Sequence, residues 1–308
     1  MSNYFYQAYR LSIISEIQID AFQEVEKFPP NENILTIQQS DVDFQGHHFK
    51  DDFVIREHTT KGFLYVLKNI VAFLITDKRI TIYPMLNNSK VWQSFLIGGA
   101  MSVVLLNRNY FLLHGSAIEK NDAAYLFLGE SGTGKSSIVA ALSKLNCSII
   151  TDDLCVLSEK GNQTQIGSGT RQVRLLKETV EALELDSITA IKHPNVQLKY
   201  AYNYENIPKK NSKVKCIVEL AVDSSIQPNV KLEKVTSFER IALLKRNIYK
   251  EKLSSIVKGN QFGFKVIMNV INDVEYYRLI RKSVNYPLDE MADFLDIELL
   301  KNTGKSLK

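Results

Sequence analysis

The stretch from Gly129 to Ser137 reads GESGTGKSS and fits the pattern G-x-x-x-x-G-K-[S/T]. The fixed positions of this pattern are Gly129, Gly134, Lys135 and Ser136. The preceding run AAYLFL is typical of a strand, and the following run SSIVAALSKL is typical of a helix. A strand, a glycine-rich loop and a helix in this order predict a phosphate-binding loop in an α/β fold. The alternative is a chance turn between a strand and a helix.

Each residue type in this loop has a physical role in holding a polyphosphate. Glycines let successive backbone N–H groups curl around a phosphate, and the N-terminus of the next helix adds partial positive charge. Lys135 can reach the β and γ oxygens, and the Ser136 hydroxyl is a natural Mg²⁺ ligand. We therefore predict ATP and Mg²⁺ as cofactors. The predicted nucleotide-binding residues are Gly129, Glu130, Ser131, Gly132, Thr133, Gly134, Lys135, Ser136 and Ser137.

Two adjacent acids, Asp152 and Asp153, interrupt the apolar run CSIITDDLCVL. A strand beside the phosphate loop would deliver them to the γ-phosphate, where one can hold Mg²⁺ and the other can accept a hydroxyl proton. Neighbouring carboxylates repel each other unless a cation or donor is present, which favours a site. The alternative is an N-cap or turn pair. We favour Asp152 as the metal-side acid, together with Ser136, and Asp153 as the base, although the sequence does not separate them.

The 308 residues suggest about two domains, and the composition (45% hydrophobic, 23% charged) is that of an ordinary globular protein. Residues 1–90 contain short runs rich in Ile, Val, Tyr, Phe and Thr, which predict a small antiparallel sheet. Residues 91–308 contain the phosphate loop within alternating strand and helix patterns. The predicted fold class is therefore α/β (α+β overall) with a small β-rich N-terminal domain.

Composition also argues against several function classes. A net charge of +4 without a concentrated basic stripe does not indicate nucleic-acid binding. Cys147, Cys155 and Cys216 lack metal-ligand spacing and are predicted to be free, buried thiols. The N-terminus lacks a signal-peptide pattern, and the most apolar run, VWQSFLIGGAMSVVLLNRNYFLL, is broken by polar residues. We interpret that run as a buried helix followed by a strand, and we expect a cytoplasmic protein with no membrane span.

Further elements are predicted around the phosphate loop. The segment YFLLHGSAIEKNDAAYLFLG predicts a hairpin with a polar turn, and VKCIVELAV predicts a buried strand. Helices are predicted for RLLKETVEALEL, FERIALLKRNIY and LDEMADFLDIELL. Residues 192–213 form the most polar and irregular stretch, which we predict to be a mobile loop.

The segments HGSAI, GESGTGKSS and TDD, in this order and at this spacing, resemble the HPr kinase/phosphorylase family. The resemblance covers residues 112–157 strongly and the rest of the C-terminal half loosely. It implies a P-loop kinase core of the HPr kinase and phosphoenolpyruvate carboxykinase type, and it implies a homo-oligomer. It places His114 near the γ-phosphate and the site of proton transfer. The catalytic residues implied are His114, Lys135, Asp152 and Asp153.

The chain departs from the bifunctional members of that family. It has neither a recognisable Glu-containing signature for a second metal contact nor an Arg-rich phosphorylase loop. Arg171 and Arg174 in GSGTRQVRL are the candidates for a phosphate clamp. The segments YRLSIISEIQI and LLHGSAIEKNDAAYLFLGESGTGKSS resemble a narrower branch, the homologues encoded with lasso peptides and other ribosomally made peptides. Members of that branch phosphorylate a precursor peptide, typically on a C-terminal serine.

The resemblance therefore implies an ATP-dependent serine kinase whose partner is a peptide or small protein. Tyr200, Tyr202 and Tyr204 would lie on one side of an extended segment and pack on the peptide, while Lys209 and Lys210 would attract its carboxylate. The alternative for this stretch is a solvated surface loop. Alternatives for the whole protein are a small-molecule kinase, a kinase of an HPr-like carrier protein, a phosphoenolpyruvate-carboxykinase-like enzyme, and a non-catalytic nucleotide-binding regulator.

Overall fold

The computed structural model describes residues 3–28, 33–40, 54–86, 89–186, 188–191, 198–208, 211–259, 267–268, 270 and 272–301. The first eight strands are β1 Tyr4–Ala8, β2 Leu11–Ser15, β3 Gln23–Glu24, β4 Ile34–Gln39, β5 Val54–Thr59, β6 Gly62–Leu67, β7 Val71–Ile75 and β8 Arg79–Pro84. The later strands are β9 Phe111–His114, β10 Ser116–Lys120, β11 Ala123–Leu128, β12 Ser148–Thr151, β13 Leu154–Lys160, β14 Gln163–Ile166, β15 Gln172–Leu175, β16 Ile188–Ile191, β17 Lys199–Asn203, β18 Ser212–Val222, β19 Val230–Lys234 and β20 Glu275–Arg281.

Among the described residues, the helices are fewer than the strands. The α-helices are α1 Ser89–Phe95, α2 Met101–Asn107, α3 Lys135–Ser143, α4 Lys177–Ala182, α5 Ser237–Arg246, α6 Glu251–Lys258 and α7 Leu288–Leu295. Two π-helical turns, Leu96–Ala100 and Asp296–Leu300, follow α1 and α7 directly. The helices predicted at FERIALLKRNIY and LDEMADFLDIELL are therefore confirmed.

The chain divides into two compact units. The first contains Met1–Leu112 and Tyr249–Phe264, and the second contains Leu113–Ile248 and Lys265–Lys308. Helices α2 and α6 thus fall in the first unit, although the sequence pattern had grouped them with residues 91–308. The phosphate loop and both predicted acids fall in the second unit.

The first unit is built on an eight-stranded sheet with the order β3-β1-β2-β4-β8-β7-β6-β5. The prediction of a purely antiparallel sheet is wrong, because β4 pairs in parallel with both β2 and β8. The remaining pairs of this sheet are antiparallel. Alternating apolar residues have the same period of two in both kinds of pairing, so the sequence pattern could not distinguish them.

The apolar run after residue 90 forms α1, a π-helical turn and α2 in continuous succession. Its residues from Met101 to Leu106 are all buried. Strand β9 follows, so the prediction of a buried helix and then a strand is confirmed. Among the described residues, no helix has the length and apolar character needed to cross a lipid bilayer.

The second unit is built on a nine-stranded sheet in which β11, β18 and β20 lie side by side and run parallel. Because they run parallel, their carboxyl ends meet at one edge of the sheet, which is the usual place for a ligand site. Helices α3 and α7 contribute to the apolar cluster on one face of this sheet, through residues such as Ile138, Val139 and Leu295. The mixed α/β architecture predicted from the sequence is confirmed.

The predicted hairpin before the phosphate loop is β10 paired antiparallel with β11. Its turn consists of Asn121 and Asp122, whose φ angles are 53° and 61°. Two consecutive positive φ angles are typical of a type I′ turn, whose twist matches that of the strands it joins. The hairpin aligns Ser116 with Phe127, so the start of β10 lies beside the end of β11.

A small sheet of order β15-β17-β16 replaces part of the predicted mobile loop. Within residues 192–213, β17 and the start of β18 are regular strands, while residues 192–197 and 209–210, including Lys209 and Lys210, lie outside the described residues. Tyr204 is buried in the apolar cluster, and Tyr200 and Tyr202 pack against it. Tyr204 is thus too buried to pack on a peptide as predicted, whereas Tyr200 and Tyr202 are only partly buried, and their contact with a peptide stays a prediction.

The helix predicted for RLLKETVEALEL is shorter than expected. Arg174 and Leu175 belong to β15, and α4 begins only at Lys177. Val173 and Leu175 are buried while Gln172 and Arg174 are partly exposed, which is the alternation of a strand.

Candidate catalytic site

The phosphate loop connects the end of β11 to the start of α3, as its sequence predicts. Gly129 has φ 141° and Gly134 has φ 84°, both in the region that favours glycine. A Cβ at Gly129 would lie 2.8 Å from the Leu220 carbonyl oxygen of the neighbouring strand. The close approach of the loop to β18 therefore requires glycine at this position.

Lys135 closes over the loop that precedes it. Its ammonium donates hydrogen bonds to the carbonyl oxygens of Gly129 and Glu130, each at 2.8 Å. Burial lowers the pKa of Lys135, and the nearby carboxylates of Asp152 and Asp153 act in the opposite direction. Neutral carbonyls are weaker partners than anionic oxygens, so a phosphate at this position would be a better acceptor for the ammonium.

Asp152, the predicted metal-side acid, is in direct contact with Ser136, the predicted metal-binding serine. Its Oδ1 accepts hydrogen bonds from Ser136 Oγ at 2.8 Å and Ser116 Oγ at 2.7 Å. Its Oδ2 accepts one from the Arg174 backbone N–H at 3.1 Å. The residue is 5% exposed. A buried carboxylate is thus held in place by three donors.

The oxygen donors of Asp152 and Ser136 fit a magnesium ion, which prefers oxygen ligands and usually takes one or two carboxylates together with phosphates and waters. Among the described residues, no group of three or more His, Cys, Asp or Glu side chains could hold a metal ion by itself. Asp152 and Ser136 therefore fit the predicted magnesium ion only together with further oxygen ligands, such as phosphates and waters.

Asp153 and His114 form a second, more exposed pair beside this carboxylate. His114 Nδ1 lies 3.2 Å from Asp153 Oδ1 and 3.2 Å from the Asp153 carbonyl oxygen. The Asp153 side chain is 52% exposed, in contrast to that of Asp152. Asp153 also has φ 71°, an uncommon value for a residue with a side chain, and such strain often accompanies functional sites. The predicted base and the predicted catalytic histidine are therefore in contact with each other.

Asn247 is a site residue that sequence reasoning missed. Its Oδ1 accepts a hydrogen bond from the Gly129 N–H at 3.2 Å, and its backbone oxygen accepts one from the His114 N–H at 2.7 Å. Its Nδ2 donates to the Leu243 carbonyl at 2.8 Å. This buried residue therefore connects the first residue of the phosphate loop, through its side chain, to the predicted catalytic histidine, through its backbone. It follows α5, far along the chain, and no motif surrounds it.

Arginines near the site differ in their surroundings. Arg174 presents its backbone N–H to Asp152, and the role of Arg171 or Arg174 as a phosphate clamp stays a prediction. Arg278 is paired with the buried carboxylate of Glu219 at 2.7 Å. Arg281, which the sequence analysis also missed, donates to the Thr133 carbonyl of the loop at 3.0 Å.

No protein-family profile matches the chain. An HPr kinase/phosphorylase from Chloroherpeton thalassium (strain ATCC 35110 / GB-78) is 30% identical over 90 residues, which cover 28% of this chain and 26% of that protein. The chain is weakly similar to HPr kinase/phosphorylase. The match thus spans about a quarter of the relative's length. The solved Hpr(Ser) kinase/phosphatase from Coxiella burnetii matches at 14% identity with a TM-score of 0.34, covering 63% of this chain and 99% of that one.

Proposed function

We propose that the protein is an ATP-dependent kinase that transfers a phosphoryl group to a serine hydroxyl. The observation that carries this proposal is the 2.8 Å hydrogen bond between Ser136 of the phosphate loop and the buried carboxylate of Asp152. A phosphate-loop hydroxyl beside a strand-end aspartate is the arrangement that holds a nucleotide-bound metal in P-loop enzymes. The similarity to HPr kinase/phosphorylase supports the same conclusion.

Each residue then has a defined part in the reaction. The loop N–H groups and Lys135 bind the triphosphate, and Ser136 and Asp152 would hold Mg²⁺, which would neutralise charge on the phosphates. The acceptor oxygen forms a bond to the γ-phosphorus while the bond to ADP breaks. Asp153, oriented by His114, takes the proton that the hydroxyl loses. The exposure of Asp153 suits a group that must meet an external substrate.

The narrower proposal is that the acceptor is a peptide, specifically the C-terminal serine of a lasso-type precursor, and that the enzyme is a cytoplasmic homo-oligomer. Its support is the resemblance of YRLSIISEIQI and of the hairpin and loop sequence to that branch. An HPr-like carrier protein is the second acceptor considered, because the matched relative is an HPr kinase/phosphorylase.

The test is transfer of label from γ-labelled ATP to a panel of acceptors. The panel contains a precursor-type peptide ending in serine, the same peptide ending in alanine, an HPr-type carrier protein and small hydroxylated metabolites. Label on the terminal serine alone supports the narrower proposal, and label on the carrier or a metabolite overturns it. ATP binding without transfer to any of them contradicts the kinase proposal and favours a nucleotide-binding regulator.

Lys135→Ala serves as the catalytic control in this assay. We expect it to abolish transfer without changing the far-ultraviolet circular dichroism spectrum, since Lys135 stabilises charge on the transferring group. Lys144→Ala removes an exposed lysine at the opposite end of α3 and should leave transfer unchanged. Transfer by Lys135→Ala within a few-fold of the wild-type rate would contradict the role given to this lysine.

A further inference from the structure

Arg281 is a buried cation directly behind the phosphate loop. It ends β20 and is 3% exposed. Its Nη2 donates to the Thr133 carbonyl at 3.0 Å, and its Nη1 lies 3.7 Å from Met291 Sδ. A Cβ built on Gly134 would lie 3.3 Å from Nη1. The guanidinium therefore rests against the backbone at the point where the loop becomes α3.

The charge of Arg281 has no counter-ion in the described part of the chain. No carboxylate there lies within ion-pairing distance of its guanidinium, and burial lowers its pKa with no opposing contribution from an acid. Arg278, on the same strand, shows the usual arrangement, because the buried carboxylate of Glu219 pairs with it. A buried charge without a partner is costly, which points to an anion-binding site close to Arg281.

The bond to Thr133 also sets the direction of the next N–H group. In a trans peptide the carbonyl and the N–H point in opposite directions. Because the Thr133 carbonyl points at Arg281, the N–H of Gly134 points away from Arg281. Arg281 thus lies on one side of the Thr133–Gly134 peptide, and the Gly134 N–H faces the space on the other side.

We propose that Arg281 is a positioning residue of the nucleotide site that favours the more highly charged phosphate ligand. It orients the Thr133–Gly134 peptide and supplies a fixed positive charge through that peptide, without touching the reacting atoms. The attraction grows with the negative charge in the loop, so a nucleoside triphosphate gains more than a diphosphate. This inference rests on the proposed nucleotide site and adds to it a basis for discriminating substrate from product.

The experiment measures the dissociation constants of MgATP and MgADP by calorimetry, without any acceptor. The variants are Arg281→Met, which removes the charge beside Met291, and Arg281→Lys, which retains it. Lys282→Met is the matched control, because it removes one positive charge at the next position of the chain, where no contact with the loop is found among the described residues. Arg281→Gln replaces Arg281→Met if the methionine variant does not fold.

We expect Arg281→Met to weaken MgATP binding at least about tenfold, and MgADP binding by a clearly smaller factor. Arg281→Lys should keep the wild-type ratio of the two constants, and Lys282→Met should change neither constant. The unliganded Arg281→Met protein should melt no lower than the wild type, because the variant no longer buries an unpaired charge. Stabilisation by saturating MgATP should be smaller in this variant.

An unchanged ratio of the two constants in Arg281→Met overturns the inference. So does an equal loss for both nucleotides accompanied by a lower melting temperature, which would indicate a purely structural arginine. Wild-type protein that binds MgATP without transferring phosphate contradicts the kinase proposal and leaves the ratio test for Arg281 in force. Wild-type protein that binds neither nucleotide overturns both.

Discussion

Replacing Asp152 and Asp153 separately by asparagine should show which carboxylate serves the metal and which serves the acceptor. The two side chains are neighbours in sequence but differ in environment. Asp152 is 5% exposed and accepts three hydrogen bonds, whereas the Asp153 side chain is 52% exposed and lies beside His114. The two substitutions therefore should affect different measurements.

The magnitude for Asp152→Asn follows from its donors. An asparagine amide has one acceptor oxygen, so its NH₂ group would face at least one of the donors Ser116, Ser136 and the Arg174 N–H. A hydrogen bond to a charged group contributes about 1.5–3 kcal/mol, and we expect the free energy of unfolding to fall by about that amount. The Mg²⁺ concentration needed for half-maximal activity should rise, because a metal-side carboxylate is lost.

Asp153→Asn should leave the fold nearly unchanged, since pairs between exposed groups contribute less than about 1 kcal/mol. Its kcat should fall at least about 10²-fold, the scale of losing a general base. The KM for ATP should change little. Asp293→Asn, at an exposed position on α7, is the matched control and should alter neither stability nor kinetics.

The assay combines urea unfolding with steady-state kinetics over a range of Mg²⁺ concentrations. Collapse of ATP binding in Asp153→Asn, with intact metal dependence in Asp152→Asn, would show that the roles are reversed. Identical effects of both substitutions on all three measurements would refute the division itself.

Two further predictions concern stability in the second unit. Asp296→Asn should lower the free energy of unfolding by about 3 kcal/mol, because the largely buried Lys120, which lies 2.5 Å from this carboxylate, would lose its counter-ion. The control is Glu181→Gln, in an exposed pair with Lys177, which should lower the free energy of unfolding by less than about 1 kcal/mol. Equal losses for the two variants in urea unfolding would contradict this reasoning. Burial raises the pKa of Cys147 from 9.0 to about 11, so the unfolded thiol ionises first and stability should fall between pH 9 and 11, by up to about 3 kcal/mol. In Cys147→Ala the stability should fall less between pH 9 and 11, and a pH profile identical to that of the wild type would contradict this prediction.

The phosphate loop was predictable from sequence because all its chemistry lies within nine consecutive residues flanked by clear strand and helix patterns. The position of Asp152 near this loop was also predictable, since the two acids interrupt an apolar strand run. The contact between Asp152 and Ser136 required only that this strand lie near the loop. Asn247 and Arg281 gave no such signal. Their surroundings, KRNIY and RLIRK, are ordinary helix-end and strand sequences, and their contacts with the loop arise only from the folded sheet.

Tyr200 and Tyr202 in β17, and Tyr204 just after it, show a different limit of sequence patterns. Alternation correctly predicted that Tyr200, Tyr202 and Tyr204 share one side of an extended segment. It did not specify how deeply each tyrosine is buried, because the covering residues come from elsewhere in the chain. Buried Tyr204 donates a hydrogen bond to the Thr170 carbonyl, which is how a core tyrosine satisfies its hydroxyl.

The topology of the second unit explains why separated segments reach one edge of the sheet. Strand β10 is antiparallel to β11, so Ser116 at its start lies beside the end of β11, where the phosphate loop begins. Strand β12 is antiparallel to β10 and therefore runs in the direction of β11, which brings Asp152, the residue after β12, to the same edge. Parallel β20 delivers Arg281 there as well. Because successive residues of a strand face opposite sides, a one-residue slip of the hairpin would turn Ser116 away from Asp152, and the type I′ turn that fixes this register is therefore part of the site.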